Sequence, residues 1–329
     1  MLKFITKRLL MGILILVLAM FLVYLLIYNL PTSYIEKTAR ELASKPGSRP
    51  YTEWLDVLNA QYGLSDNPVT GFLTWCSHAV RGNFGDSWLW TIPVTEKFKE
   101  VIWNSFWLGL AAFILEAAIA IPLGVLAATK QYSATDYTIT VLSLIGISMP
   151  TFFVTTVFKM IFAVHLGWFD PYGMENARIH ATLPPFGQFM DTLAHFVLPC
   201  MTLVAIGIGS LMRYTRTNTL EVLNADYIRT ARAKGLPEKK VIGYHAFRNT
   251  LIPIVTILGN SLPGLFSGAL ITETLFSIRG IGYISYYSMI QGDIPFTMFY
   301  LAFPSILTIL GTLIADILYA VVDPRVRVN

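Results

Sequence analysis

Four ionisable side chains fall within or at the ends of long apolar runs of this sequence: Glu116, Lys159, Glu273 and Asp316. Charge is costly in hydrocarbon, so each asks for a partner, a water-lined cavity or a functional reason. Glu116 is the most central, and there a role in a pathway through the protein competes with a purely structural one. Glu273 lies near one end of its run, where capping or pairing competes with a pathway role. Asp316 lies near the opposite end of its run, within reach of basic residues, where a salt bridge competes with the same role. Lys159 is expected to snorkel its ammonium toward the nearer water layer. Side chains that do covalent or metal chemistry are not in a useful spacing. His78, His165, His180, His195 and His245 are scattered, without metal-ligand intervals. Cys76 and Cys200 are too few for a disulfide framework and read as free thiols. There is no G-x-x-x-x-G-K-[ST] loop to cradle a triphosphate. There is no H-E-x-x-H, G-x-S-x-G or catalytic-cysteine pattern either. The sequence predicts no enzyme active site, no metal and no cofactor bound by the chain itself.

The positions of those carboxylates are set by spans. Of 329 residues, 54% are apolar and 13% charged, well below the charged fraction of a soluble domain. Residues 9–30 are uncharged and long enough to cross about 30 Å of hydrocarbon. Lys3, Lys7 and Arg8 precede them; the run exceeds a signal-peptide core and lacks a small-x-small cleavage site. It reads as an uncleaved first span. Further spans are expected at 101–129, 137–164, 193–212, 251–276 and 297–322. Each of these five holds proline (Pro122, Pro150, Pro199, Pro253 with Pro263, Pro304), tolerated in membranes where neighbours re-satisfy the freed carbonyl. They read as a packed core, and the first span as peripheral. Gly264 and Gly268 form a G-x-x-x-G that predicts close helix packing in the fifth span.

Between the first two spans, 31–100 is polar, with Gly, Pro and Trp scattered through it. It reads as a small extracytoplasmic segment, helical near 51–62. Six spans place both termini on one side. That side then carries fourteen of the 24 Lys and Arg residues, eight of them between Arg213 and Arg248. The two short loops opposite hold only Arg178 and Arg279. The positive-inside rule therefore puts the termini and the central loop in the cytoplasm; the long 31–100 segment is exempt from that count.

The basic central loop, DYIRTARAKGLPEKKVIGYHAFRNTLIP (226–253), reads as two short helices at a corner. Leu220, Leu223, Tyr227 and Ala231 recur on one helical face, with Asn218, Glu221, Arg229 and Arg232 opposite. Gly235 stands where a helix ends in a left-handed residue, and Pro237 can open the next helix at its first position. A plain amphipathic linker and a DNA-binding helix-turn-helix are the alternatives. Closely flanking spans weigh against the second, and no nucleic-acid partner is expected.

The loop resembles the "EAA" loop of ABC importer permeases, in the version carried by peptide and nickel importers. Tyr227, the run RTARAKG (229–235), His245, Arg248, Asn249 and LIP (251–253) carry the resemblance. The generic loop's opening glutamate falls on Arg229, which narrows the match to the peptide branch. TETLFSIRGIGYI (272–284), with Arg279 where the family usually has proline, extends the match. So do ADILYAVVDPRVR (315–327), GISMP (146–150), and more weakly YGL (62–64) and GNFGDSW (82–88).

The resemblance implies an all-α membrane protein with the six-helix type I ABC importer permease fold. Its parts would be an N-terminal transmembrane helix (1–30), an extracytoplasmic segment (31–100), a five-helix core (101–322) with coupling loop 213–250, and a cytoplasmic tail (323–329). It also implies a bacterial or archaeal cytoplasmic membrane location. The implied partners are a second homologous permease, two cytoplasmic ATPase subunits holding ATP and Mg, an extracytoplasmic substrate-binding protein, and membrane lipid. Asp226, Tyr227, Arg229, Thr230, Ala231, Arg232, Ala233, Gly235, His245, Arg248 and Asn249 would couple to the ATPase, a helix-in-groove contact. Glu116, Glu273 and Asp316 would be pathway candidates. Cargo in such a family is most commonly a peptide, which is the expectation here, with a nickel chelate, glutathione or an oligosaccharide as the alternatives. A self-sufficient channel or secondary transporter would need no such corner and commonly shows internal repeats, which are not evident here. A membrane-embedded hydrolase would need the nucleophile or metal motifs that are missing.

Overall fold

The computed structural model describes residues 2–29, 34–45, 47–62 and 67–322; within these, several side chains near the chain termini and in 59–62 are not described. All regular structure among them is helical, apart from one isolated bridge between Asp86 and Pro93. Five helices are long and apolar enough to cross a membrane, and a sixth span exists if one bent helix pair is counted as one. The chain divides into two compact units, the first made of residues through Trp103 together with those from Ile281 onward, the second of Asn104–Gly280.

In the first unit, α1 (Leu2–Tyr28) packs along α14 (Ile294–Val322) and against α4 (Pro68–Ala79). A side chain at Gly12 would strike Ile309, so this packing needs glycine. Three short helices fill the polar segment: α2 (Tyr34–Ala43), α3 (Tyr51–Tyr62) and α4. The α3 bounds match the sequence expectation. The other two depart from it, because α2 is short and its helical stripe sits in a hydrophilic run. At α4, Pro68 takes the first turn and the Asn67 side chain accepts from the Val69 N–H at 2.9 Å, satisfying donors that a helix start leaves open. Met20, Tyr24, Ile35, Phe72, Trp88 and Met298 share one core, so α1 is anchored through one face while Leu10, Leu14, Leu18, Leu22 and Leu26 stay exposed.

Asp293, fully buried just before α14, organises the polar end of this unit. It accepts from the Ser87 hydroxyl and from the N–H groups of Trp88, Leu89 and Phe296. Burial pushes its carboxyl above the usual aspartate range, and those donations pull it back.

The second unit holds the rest of α5 (Val94–Thr129), then α6 (Ala134–Ser148), α7 (Thr151–Phe158) with a π-helical turn (Lys159–His165), and α8 (Pro185–Leu223). The expected single span 137–164 is instead broken, with a bend of 106° between its halves. Pro150 explains the break. It has no N–H and pushes the preceding Met149 into extended geometry (φ −82°, ψ 129°). Pro122, Pro199, Pro253 and Pro304 sit inside continuous helices.

The fifth apolar run also differs from expectation. Helix α11 (Phe247–Ser261) gives way to a 3-10 turn (Leu262–Phe266), and α12 (Leu270–Phe276) starts afresh. Gly268 lies at that break with φ 76°, and a side chain at Gly264 would meet open space. The G-x-x-x-G therefore makes a turn rather than a packing face. Close packing falls to other glycines: a methyl at Gly124 would meet the Met212 carbonyl at 2.7 Å, and one at Gly146 the Ala205 carbonyl at 2.9 Å.

Candidate functional site

The corner begins where α8 stops at Leu223. Ala225 turns extended (φ −71°, ψ 147°) and α9 (Asp226–Ala233) restarts. Ile228 and Ala231, three residues apart, point inward and pack with Val222, Leu223, Leu236, Val241 and Ala246 into a small core of their own. This corrects the expected stripe. Tyr227 is 47% exposed and Ile228 fully buried, because the turn at Asn224–Ala225 resets the helical phase counted on from Leu220 and Leu223.

The end of α9 is a Schellman motif. Leu236 N–H donates to the Ala231 carbonyl (3.4 Å) and Gly235 N–H to that of Arg232 (2.9 Å), with Gly235 at φ 75°. Leu236 also packs against the small core that contains Ala231, in keeping with the apolar contact that accompanies this cap. Pro237 (φ −63°, ψ 140°) precedes α10 (Glu238–Lys240) as its cap rather than serving as its first helical residue. A π-helical turn, Val241–Ala246, leads into α11.

This leaves a polar face on α9. Asp226, Tyr227, Arg229, Thr230, Arg232 and Ala233 are all exposed, and Ala231 alone of the expected α9 residues is buried. Arg232 is held: its Nε and Nη2 donate to the Glu238 carboxylate at 3.2 and 2.7 Å. That pairing raises the Arg232 guanidinium further above its usual value. Arg229 is 74% exposed in its side chain, with Asp226 only loosely beside it at 3.8 Å. The Thr230 hydroxyl is turned back to the Asp226 carbonyl. On the far side of the corner, Asn249 donates to the His245 carbonyl at 2.7 Å, and the His245 ring meets Tyr244 edge-on. Arg248 is exposed, like Tyr244.

The ionisable residues of the spans separate. Glu116 is half-buried on α5 against Gly207 of α8, and has no ion-pair or hydrogen-bond partner among the described residues. Glu273 is fully buried and acts as a cap: it accepts from the Ser105 hydroxyl at 2.6 Å and from the Ala269 N–H at the start of α12 at 2.9 Å. Asp316 falls within α14, and its side chain lies outside the described residues. The Lys159 ammonium donates to the Leu275 carbonyl at 2.7 Å and lies 3.5 Å over the Tyr172 ring. Arg279 is exposed and its carbonyl accepts from Asn104. The turn there is made by Ser277 (φ 56°) and by the Ile278 N–H donating to the Glu273 carbonyl.

Two polar groupings lie outside the expected site residues. Asp136, 2% exposed, receives Arg216 Nε at 2.6 Å and Nη2 at 2.7 Å. Asp191 joins two of the histidines: His180 Nδ1 lies 2.7 Å from its carboxylate and His195 Nδ1 2.8 Å from its carbonyl.

Residues 120–328 match the family described as "Binding-protein-dependent transport system inner membrane component". The oligopeptide transport system permease protein AppB of Bacillus subtilis is 40% identical over 81% of this chain and 83% of its own length. The dipeptide transport system permease protein DppB of Escherichia coli is 35% identical over 82% and 84%. A putative peptide permease protein of Brucella ovis is 31% identical over the whole of both chains.

Proposed function

The chain belongs to the family of binding-protein-dependent transport system inner membrane components, and from that premise we propose that it is a permease subunit of an ATP-driven peptide importer. Peptide as cargo is supported by relatives named for oligopeptides and dipeptides that cover more than four-fifths of the chain. The family is one of transport components rather than catalysts, and energy then comes from elsewhere.

In this reading the corner at Asp226–Gly235 seats in a groove of an ATPase subunit, whose bound ATP and Mg supply the work. The single observation that carries the assignment is the exposed polar face of α9, held at a fixed angle by its own apolar core and Schellman cap. A helix turned outward, rigid and unpaired along one face is what a helix-in-groove contact requires. Tyr227 and Arg229 are its most available contacts. His245, Arg248 and Asn249 support the second arm. A second, homologous permease completes the pathway, and an extracytoplasmic binding protein delivers cargo on the side of residues 31–100. Glu116 is the pathway candidate best placed to meet cargo. Glu273 serves the α12 cap and would reach a pathway only if that cap opened.

The test is reconstitution of the chain with its cognate permease, ATPases and binding protein in vesicles. ATP-dependent accumulation of a labelled peptide is expected. A nickel chelate, glutathione or an oligosaccharide recovered with the binding protein, with no peptide uptake, would overturn the cargo assignment.

A further inference from the structure

We propose that the Asp136–Arg216 pair is a positioning pin that makes the broken span α6–α7 follow α8 when the corner moves. The proposal rests on the importer reading above and adds the route by which motion leaves the corner.

Helix α8 is continuous from Pro185 to Leu223, and the corner core is built directly onto its end through Val222 and Leu223. A displacement of α9 therefore reaches α8 without an intervening hinge other than Asn224–Ala225. Helix α6 packs antiparallel to α8. Asp136 meets Arg216, Gly209 lies on the Ser143 carbonyl, and Gly146 lies on the Ala205 carbonyl. The Gly146 contact is backbone against backbone, while Gly209 faces the Ser143 carbonyl and also the Ile147 side chain. Both resist approach, but van der Waals contacts resist sliding along the helix axis less than a directional bond does.

The ion pair supplies what they lack. Both guanidinium donors engage separate oxygens of Asp136, which also accepts from the Tyr132 N–H at 3.0 Å. A two-pronged fork fixes direction as well as distance. Asp136 sits in the first turn of α6, a helix capped by Ser133, so the pin grips the end of α6 nearer the corner. The far end of α6 leads into the 106° bend at Met149–Pro150. Axial movement of α8 is thus handed to the bend and to α7.

A buried ion pair contributes little net stability when an apolar pair of similar volume packs in its place. That separates positioning from mere folding. The experiment uses the complete transporter in vesicles, with Asp136→Leu and Arg216→Met combined. Uptake per ATP hydrolysed is expected to fall about tenfold or more, while assembly and ATP hydrolysis persist. In parallel, nitroxides replace Val141 on α6 and Ser210 on α8, after Cys76 and Cys200 are replaced. Their dipolar coupling is expected to stay constant between nucleotide-free and vanadate-trapped wild type, and to change between these states in the paired variant. If the paired variant fails to assemble, Arg216→Lys, which keeps the charge and loses the fork, is read by the same two measurements. A wild-type ratio of uptake to hydrolysis, or spin coupling that is state-independent without the pair, would overturn the proposal. If wild type hydrolyses ATP and takes up no peptide, the cargo reading fails, while the spin coupling still decides the pin.

Discussion

The carboxylate of Glu116 occupies the space that a side chain at position 207 would fill. A Cβ on Gly207 would collide with both carboxylate oxygens. The absence of a side chain on α8 thus leaves room for a carboxyl that has no polar partner among the described residues. The obstruction is the far end of a flexible side chain, so Gly207→Ala should fold and insert, displacing the carboxylate. If Glu116 meets the ammonium end of a peptide, Glu116→Gln should lower uptake of a free-amine dipeptide more than uptake of its N-acetylated form. Gly207→Ala should mimic it, and the two changes together should be no worse than either alone. Equal losses for both peptides would remove Glu116 from cargo recognition.

Gly124→Ala should behave differently. Its new methyl would meet the Thr215 side chain and the Met212 carbonyl at 2.6–2.7 Å, and backbone cannot swing aside. A loss of about 1–3 kcal/mol is expected from overpacking, read as a lower melting temperature of the purified protein than for Gly207→Ala. Comparable melting for the two variants would contradict the packing described.

At Gly235 nothing crowds the α carbon, so any defect there is conformational. Gly235→Asn, which tolerates φ of 75°, should retain uptake. Gly235→Val should insert normally and lose uptake. Normal transport by the valine variant would show that the angle between the arms of the corner does not matter.

Arg229 and Arg232 should separate although both are exposed. Arg229→Glu should reduce recovery of the ATPase with the permease, and the loss should ease as salt weakens the wild-type contact. Arg232→Glu places two carboxylates together at Glu238 and should disturb the corner itself, with repair by Glu238→Arg. Unchanged ATPase recovery with Arg229→Glu would turn attention to Tyr227.

Asp293→Ala would strand the Ser87 hydroxyl, the buried N–H groups of Trp88 and Phe296 and the part-buried one of Leu89, with an expected loss above about 3 kcal/mol. Asp293→Asn keeps an acceptor and should lose less. Burial raises the Asp293 carboxyl in the folded chain, so the folded state binds its proton more tightly than the unfolded one. The resulting stabilisation is full below the ordinary aspartate range and fades as pH rises through the raised value. Melting of Asp293→Asn should lack that pH dependence; an identical slope in the two proteins would refute it.

Sequence reading reached what depends on local chemistry. Gly235 announced its turn because a positive φ is a property of one residue and its neighbours, and apolar length marked the spans. Reading failed where one regular pattern ran through a break. Hydropathy is continuous across Met149–Pro150, although the backbone bends by 106° there. The stripe from Leu220 to Ala231 was counted across Asn224–Ala225, which put Tyr227 inward in place of Ile228. Asp136 and Arg216 are far apart in sequence, as are His180 and Asp191, and no spacing rule joins them; Asp191 and His195 stand four apart on α8, a spacing that does signal a pair. The residues proposed to couple are marked by pattern; that Asp226, Tyr227, Arg229, Thr230, Arg232 and Ala233 are exposed while Ala231 is buried is what the fold adds.

Helix α8 extends about 58 Å at 1.5 Å per residue, with Pro199 inside it. Proline removes one hydrogen bond and loosens the rod there, which makes Pro199 a natural joint. The arm from Pro199 to Leu223 is about 36 Å and the arm back to Pro185 about 21 Å. A sideways stroke of about 5 Å at the corner would tilt the longer arm by about 8° and leave the shorter arm in place, so the joint would confine the movement to one end of α8.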